Sequence, residues 1–259
     1  MAVNRISKIS SLAILWTTLC ASSTLAHADG LSDLKAALAR LQGPAAVKAV
    51  LEAKTWSKQG EGKDAEEKNG VANVFIEEGQ RGLHIHYSKE LLAKLDTEEL
   101  AKEKDPKVKT PTLSALKEIN SSELRPLIYA AGSLSRAVEK ANFKSEKVDT
   151  FNGKPARLLS FDLSIDKISE KDRKYVKKYE GKLDIWVAAD GTPLASRQHE
   201  SVSGRAFVVI SFESTNDDDQ IYAQVGERLV TTRRESKSSG SGAGERGESR
   251  TVKTLQLQS

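Results

Sequence analysis

The stretch that most constrains the fold is KLDIWVAADGTPLASRQHE, residues 182–200, in which apolar and polar residues alternate, break at Asp190-Gly191 and alternate again. A period of two sends successive side chains to opposite faces of a strand, and an Asp-Gly pair between two such runs marks a hairpin. A chain built this way pairs its neighbours antiparallel and needs a second layer over its apolar face. With a two-residue turn, Ala189 pairs with Thr192 and Ala188 faces Pro193. Val187 then lies beside Leu194, Trp186 beside Ala195 and Asp184 beside Arg197. Leu183, Ile185, Val187 and Leu194 share one face, and Trp186 stands on the other.

The same pattern recurs along the chain. Asn152-Gly153 and Gly226-Glu227 are further tight turns, with Ser203-Gly204 next. FNGKPARLLSFDL sets Leu159, Phe161 and Leu163 on one face, opposite the polar FKSEKVDT. RAFVVISFE carries Phe207 and Val209 on one side and Val208, Ile210 and Phe212 on the other, the pattern of a strand covered twice. Nearer the start, AAVKAVLEAKTWSK places Val47, Ala49, Leu51 and Ala53 on one face and Trp56 on the other, and VANVFIEE and LHIHYS form a hairpin around GQRG. The polar QGEGKDAEEKNG reads as a solvated loop. SKSSGSGAGERGES, between RLVTTRRES and TVKTLQLQ, reads as a long flexible hairpin loop without the Gly-Lys-Ser/Thr ending of a phosphate loop.

Between residues 88 and 142 the period changes to that of helices, separated by KDPKVKTP and Asn120. The last of them, SSELRPLIYAAGSLSRAVEKA, carries a continuous stripe of Leu124, Leu127, Ile128, Ala131, Leu134 and Val138, and tolerates Pro126 only if that residue lies in the first turn. LSDLKAALARLQGP is a short amphipathic helix ended by Gly43-Pro44. IDKISEKDRKYVKKYEG fits either a solvated helix or a strand. These elements predict an α+β fold, a curved antiparallel sheet partly wrapped around helices. A ligand in such a fold sits between the helix stripe of Leu124, Leu127, Ile128, Leu134 and Val138 and the sheet face of Leu183, Ile185, Val187 and Leu194.

Arg5 and Lys8, the apolar run LAILW and the small residues of LAHA make residues 1–28 a secretory signal peptide cleaved after Ala28, leaving 29–259 as one domain in the periplasm. Its apolar run is too short to span a bilayer, and Leu19 before Cys20 disfavours lipidation. Cys20 is the only cysteine, so the mature chain has no disulfide or thiolate chemistry. Cleavage lowers Lys and Arg from 40 to 38 against 36 Asp and Glu, a formal charge of +2 that gives no reason to expect nucleic-acid binding or stable membrane insertion. The expected state is a monomer without cofactor.

The signal peptide, LSDLKAALARLQGPAAVKAVLEAKTWS, GKPARLLSFDL and above all LDIWVAADGTPLASR followed by RAFVVISFE resemble the LolA/LolB-like, outer-membrane lipoprotein-sorting group. That resemblance implies an open β half-barrel covered by helices, with space for the acyl chain of a lipid or lipoprotein, and a carrier or sensor rather than an enzyme. A second reading is an envelope scaffold whose partner is another envelope protein. The third, a metal-dependent hydrolase, rests on His84 and His86 facing the same way from one strand, with His199, Glu77 or Glu78 as a further ligand. No metal is expected, because nothing in the spacing requires that third ligand.

Overall fold

A computed structural model describes residues 29–206 and 210–258. Residues 1–28, expected to be a signal peptide and including Cys20, and Phe207, Val208 and Val209 lie outside the described residues. Helix α1 (Gly30–Arg40) leads into β1 (Val47–Gln59), β2 (Glu66–Gly79) and β3 (Gly82–His86). Four helices follow: α2 (Lys89–Lys104), α3 (Pro111–Leu116), α4 (Ser121–Ile128) and α5 (Ala130–Glu139). Next come β4 (Ala141–Phe151), β5 (Lys154–Leu163), the short α6 (Glu170–Arg173), β6 (Val176–Val187) and β7 (Pro193–Ala206). The chain ends with β8 (Ile210–Val225), β9 (Arg228–Gly242) and β10 (Glu245–Leu257).

The strands form one open antiparallel sheet in the order β3-β2-β1-β10-β9-β8-β7-β6-β5-β4. Pairing of β1 with β10 joins the first hairpin to the later meander, and the segment α2–α5 runs between the two edge strands, β3 and β4. Helices cover the face that the alternation marks as apolar. Leu34 and Leu38 of α1 and Leu134 and Val138 of α5 pack on Leu159, Phe161, Leu183, Ile185 and Val187. Leu91, Ala115, Leu124, Leu127 and Ile128 pack on Ala49, Leu51, Ala53, Val74 and Ile76. The α+β architecture is the expected one.

Three local expectations are corrected. The polar stretch at 59–70 keeps a loop only at 60–65 and is strand on either side, and the serine- and glycine-rich stretch at 236–249 is strand apart from its turn at Ala243-Gly244. Intrinsic propensity loses here to cross-strand pairing. Ser238 and Ser249 share a hydrogen bond of 2.7 Å, and Arg250 meets Glu235 at 2.9 Å across the β9–β10 ladder. Second, the helix with the long stripe breaks at Tyr129, and Pro126 lies in the second turn of α4 rather than its first. The stripe is thereby divided between two cores. Third, Gly204 is not in a turn but inside β7, where a side chain would collide with the Tyr175 carbonyl. Residues 165–181, which fit either a helix or a strand, hold both in succession, α6 and then the start of β6.

The opening hairpin differs in its turn. Gly191 N–H donates to the Ala188 carbonyl at 3.0 Å and Ala188 N–H to the Thr192 carbonyl at 2.9 Å, so the loop has three residues, with Gly191 left-handed at φ +81°. Val187 accordingly pairs with Pro193, and a bulge at Leu194 restores the expected register, with Trp186 opposite Ala195 and Asp184 opposite Arg197. The tip packs on α1: a Cβ on Gly191 would lie 2.3 Å from the Asp33 carbonyl oxygen. Gly191→Ala is therefore expected to cost about 2 kcal/mol or more, left-handed strain plus displacement of α1. Gly153→Ala, left-handed but facing open space, should cost about 1 kcal/mol. Urea melts of the two variants check the ordering, and equal losses would mean that α1 does not seat on this tip.

Candidate functional site

The nine residues expected to face a ligand do not converge on one spot. Leu134 and Val138 meet Leu183, Ile185 and Val187 in the core beneath α1 and α5. Leu124, Leu127 and Ile128 join the other core, over β1 and β2. These eight are at most 5% exposed. Leu194, displaced by the bulge, is half-buried and belongs to neither cluster. Trp186 is on the opposite, convex face: its indole N–H donates to Asp149 Oδ2 at 3.0 Å, and its ring lies near Phe151 and the Arg197 guanidinium.

Two polar clasps hold the helical cover onto the sheet, and neither was anticipated. At the junction of α4 and α5 the Tyr129 hydroxyl donates to Glu78, which also pairs with Arg228, and the Arg228 guanidinium sits 4.7 Å from the Tyr129 ring centroid. Both charged side chains are 5% exposed. On the other side, Lys253 of β10 is buried and reaches Glu123 at 2.6 Å and Glu118 at 3.3 Å. That hydrogen bond from Lys253 holds the Glu123 carboxyl below the usual range, against the opposing effect of partial burial. The clue lay in face parity, because Glu78 follows Ile76 and Lys253 precedes Leu255 on strand faces that otherwise read as apolar.

Beyond Lys253 the concave face turns polar. A cavity of about 460 Å³ lies there over Ser57, Ser249, Ser238, Asn216 and Gly240. Two more, of about 590 and 550 Å³, adjoin Trp56 on the convex face. Another, of about 610 Å³, lies between β2 and the α2–α3 connection. None of these four is lined by any of the nine expected residues.

The histidine arrangement is dispersed. His84 and His86 are exposed with ring centroids 6.4 Å apart, but His199 is on β7, six strands along the sheet, bonded to Asp217 at 2.7 Å. Glu77 pairs with Lys48 at 3.3 Å, and Glu78 is held in its clasp. Among the described residues no group of three or more His, Cys, Asp or Glu is placed to hold a metal ion. No helix among them is long and apolar enough to cross a membrane.

Three tyrosines bear on alkaline stability. Burial, then Glu200, pushes the Tyr179 hydroxyl up to about 12; burial raises Tyr222; and the bond to Glu78 raises Tyr129. Each holds its proton more tightly folded than unfolded. Their contribution is therefore complete below the ordinary phenol value of about 10 and is lost as pH climbs from there through the folded values. Absorbance at 295 nm should show these phenols ionising late, with the delay abolished in urea.

No protein-family model and no curated protein matches the chain. A similar solved structure is an outer membrane lipoprotein-sorting protein domain from Vibrio parahaemolyticus, with 14% identity over 89% of this chain and 92% of that one, at a TM-score of 0.29. Overlap at that level supplies no residue correspondence.

Proposed function

We propose that the protein is a non-enzymatic periplasmic carrier or sensor that takes a lipid or lipoprotein acyl chain between its sheet and its helical cover, after signal cleavage behind Ala28. The observation behind this reading is the way the cover is attached. Residues 89–140 are strung between the two free edges of the sheet, and among the described residues no backbone hydrogen bond ties α2–α5 to a strand. The cover rests on apolar side chains and the two clasps, so an apolar chain can enter by parting side chains without breaking the β ladder. Each methylene transferred from water contributes about 0.8 kcal/mol, so a long acyl chain can offset the displaced contacts. The resemblance of the hairpin at 182–200 to the lipoprotein-sorting group points the same way.

A second reading, an envelope scaffold for protein contacts, is favoured by how completely eight of the nine interface residues are already packed. Native mass spectrometry of protein purified from its own periplasm tests the two. Retained acyl mass, with saturable binding of a fluorescent fatty acid, supports the carrier. A bare chain that ignores the probe leaves the scaffold.

A further inference from the structure

The β2 strand is longer than its outer neighbour. Ladder pairing with β3 runs only from Phe75↔His86 to Gly79↔Gly82, whereas β2 continues back to Glu66. Backbone groups alternate in direction along an antiparallel strand. Phe75, Glu77 and Gly79 point theirs at β3, so Glu67, Asn69, Val71 and Asn73 point theirs outward, where they have no partner among the described residues. This open edge borders the cavity of about 610 Å³, whose far wall is the end of α2, the α2–α3 connection and α3. Five lysines line it, Lys68, Lys102, Lys107, Lys109 and Lys117, against Glu66 and Glu67. Glu66 is paired with Lys68, and Glu67 accepts the Trp56 indole N–H. The other four lysines make no ion pair within 4 Å among the described residues.

We propose that this cleft binds an acidic, extended segment of a partner protein, which adds to β2 as a further strand. Main-chain hydrogen bonds to Glu67 and Asn69 supply the pairing, and the lysines opposite select carboxylates on the incoming chain. Lysines on an edge strand can serve instead to repel other strands. All four unpaired ones, however, stand across the cleft, on α2, on the α2–α3 connection or just past the end of α3, and none on the strand whose outward amides they face. This proposal is independent of acyl binding, whose site lies under the cover.

The test is fluorescence anisotropy with a labelled octapeptide of alternating Glu and Thr, the same peptide N-methylated on alternate residues, and inorganic polyphosphate. Expected results are saturable binding of the first peptide, weakened at least tenfold by N-methylation, by Lys107→Glu with Lys109→Glu, and by Asn69→Pro, with fatty-acid probe binding unchanged. The outward amide of Asn69 makes no ladder bond, so proline there removes the docking N–H without breaking the β1–β2 ladder. If Asn69→Pro does not fold, the N-methylated peptide asks the same question of the unaltered protein. Absence of peptide binding, equal binding of the methylated peptide, or polyphosphate binding that outcompetes the peptide would each overturn the proposal.

Discussion

Leu127→Asp is expected to abolish folding, while Trp186→Ser, which removes a larger apolar group, is expected to lower stability by only about 1 kcal/mol. Leu127 is 1% exposed beneath α4, among Leu124, Ile128 and the inner residues of β1 and β2. Emptying such a site costs about 2–5 kcal/mol, and an unpaired carboxylate adds several more. Their sum is comparable to the whole stability of a typical domain, about 5–15 kcal/mol. Trp186 is half-buried on the convex face, where its loss gives up one hydrogen bond to Asp149 and contact with Phe151. Circular dichroism in a urea series measures both. A Leu127→Asp melt within about 1 kcal/mol of the parent would mean that α4 does not pack on the sheet.

Arg228→Met should be nearly as damaging, by about 3–5 kcal/mol, because it strands the buried Glu78 carboxylate and uncovers the Tyr129 ring. Joining it to Glu78→Leu should restore most of the loss, since the pair's desolvation cost disappears with both charges. Denaturation of the two single variants and the double variant forms a thermodynamic cycle. A coupling below about 1 kcal/mol would show that the pair is not the buried clasp described above.

The sheet and its faces were legible because burial imposes parity. Leu159, Phe161, Leu183, Ile185 and Val187 fall on the covered side, and Trp186 falls opposite, as the alternation requires. Polar strands escaped because neither face of residues 236–249 is apolar, and their order comes from ladder partners, β8 on one side and the β1 strand, distant in sequence, on the other. The break at Tyr129 was hidden for a related reason: the apolar period continues through it, while the partner of the Tyr129 hydroxyl, Glu78, is fifty-one positions away. The close approach of Gly191 to Asp33, which leaves no room for a side chain, likewise exists only once α1 is seated. What the candidate site lost was convergence. Eight of its nine residues are interior, but the break divides them.

Pairing of β1 with β10 bears on how the chain is assembled. Ala49 meets Leu257 across about two hundred residues, so the centre of the sheet closes last in order of synthesis. Contacts this distant in sequence carry a large loop-closure entropy and make folding slow. Until β10 inserts, β1 and β9 each present an unpaired edge, which is the geometry that recruits other chains into aggregates. A nascent chain lacking Glu245–Leu257 therefore holds two half-sheets rather than one, and the commitment to the native topology waits for the final strand.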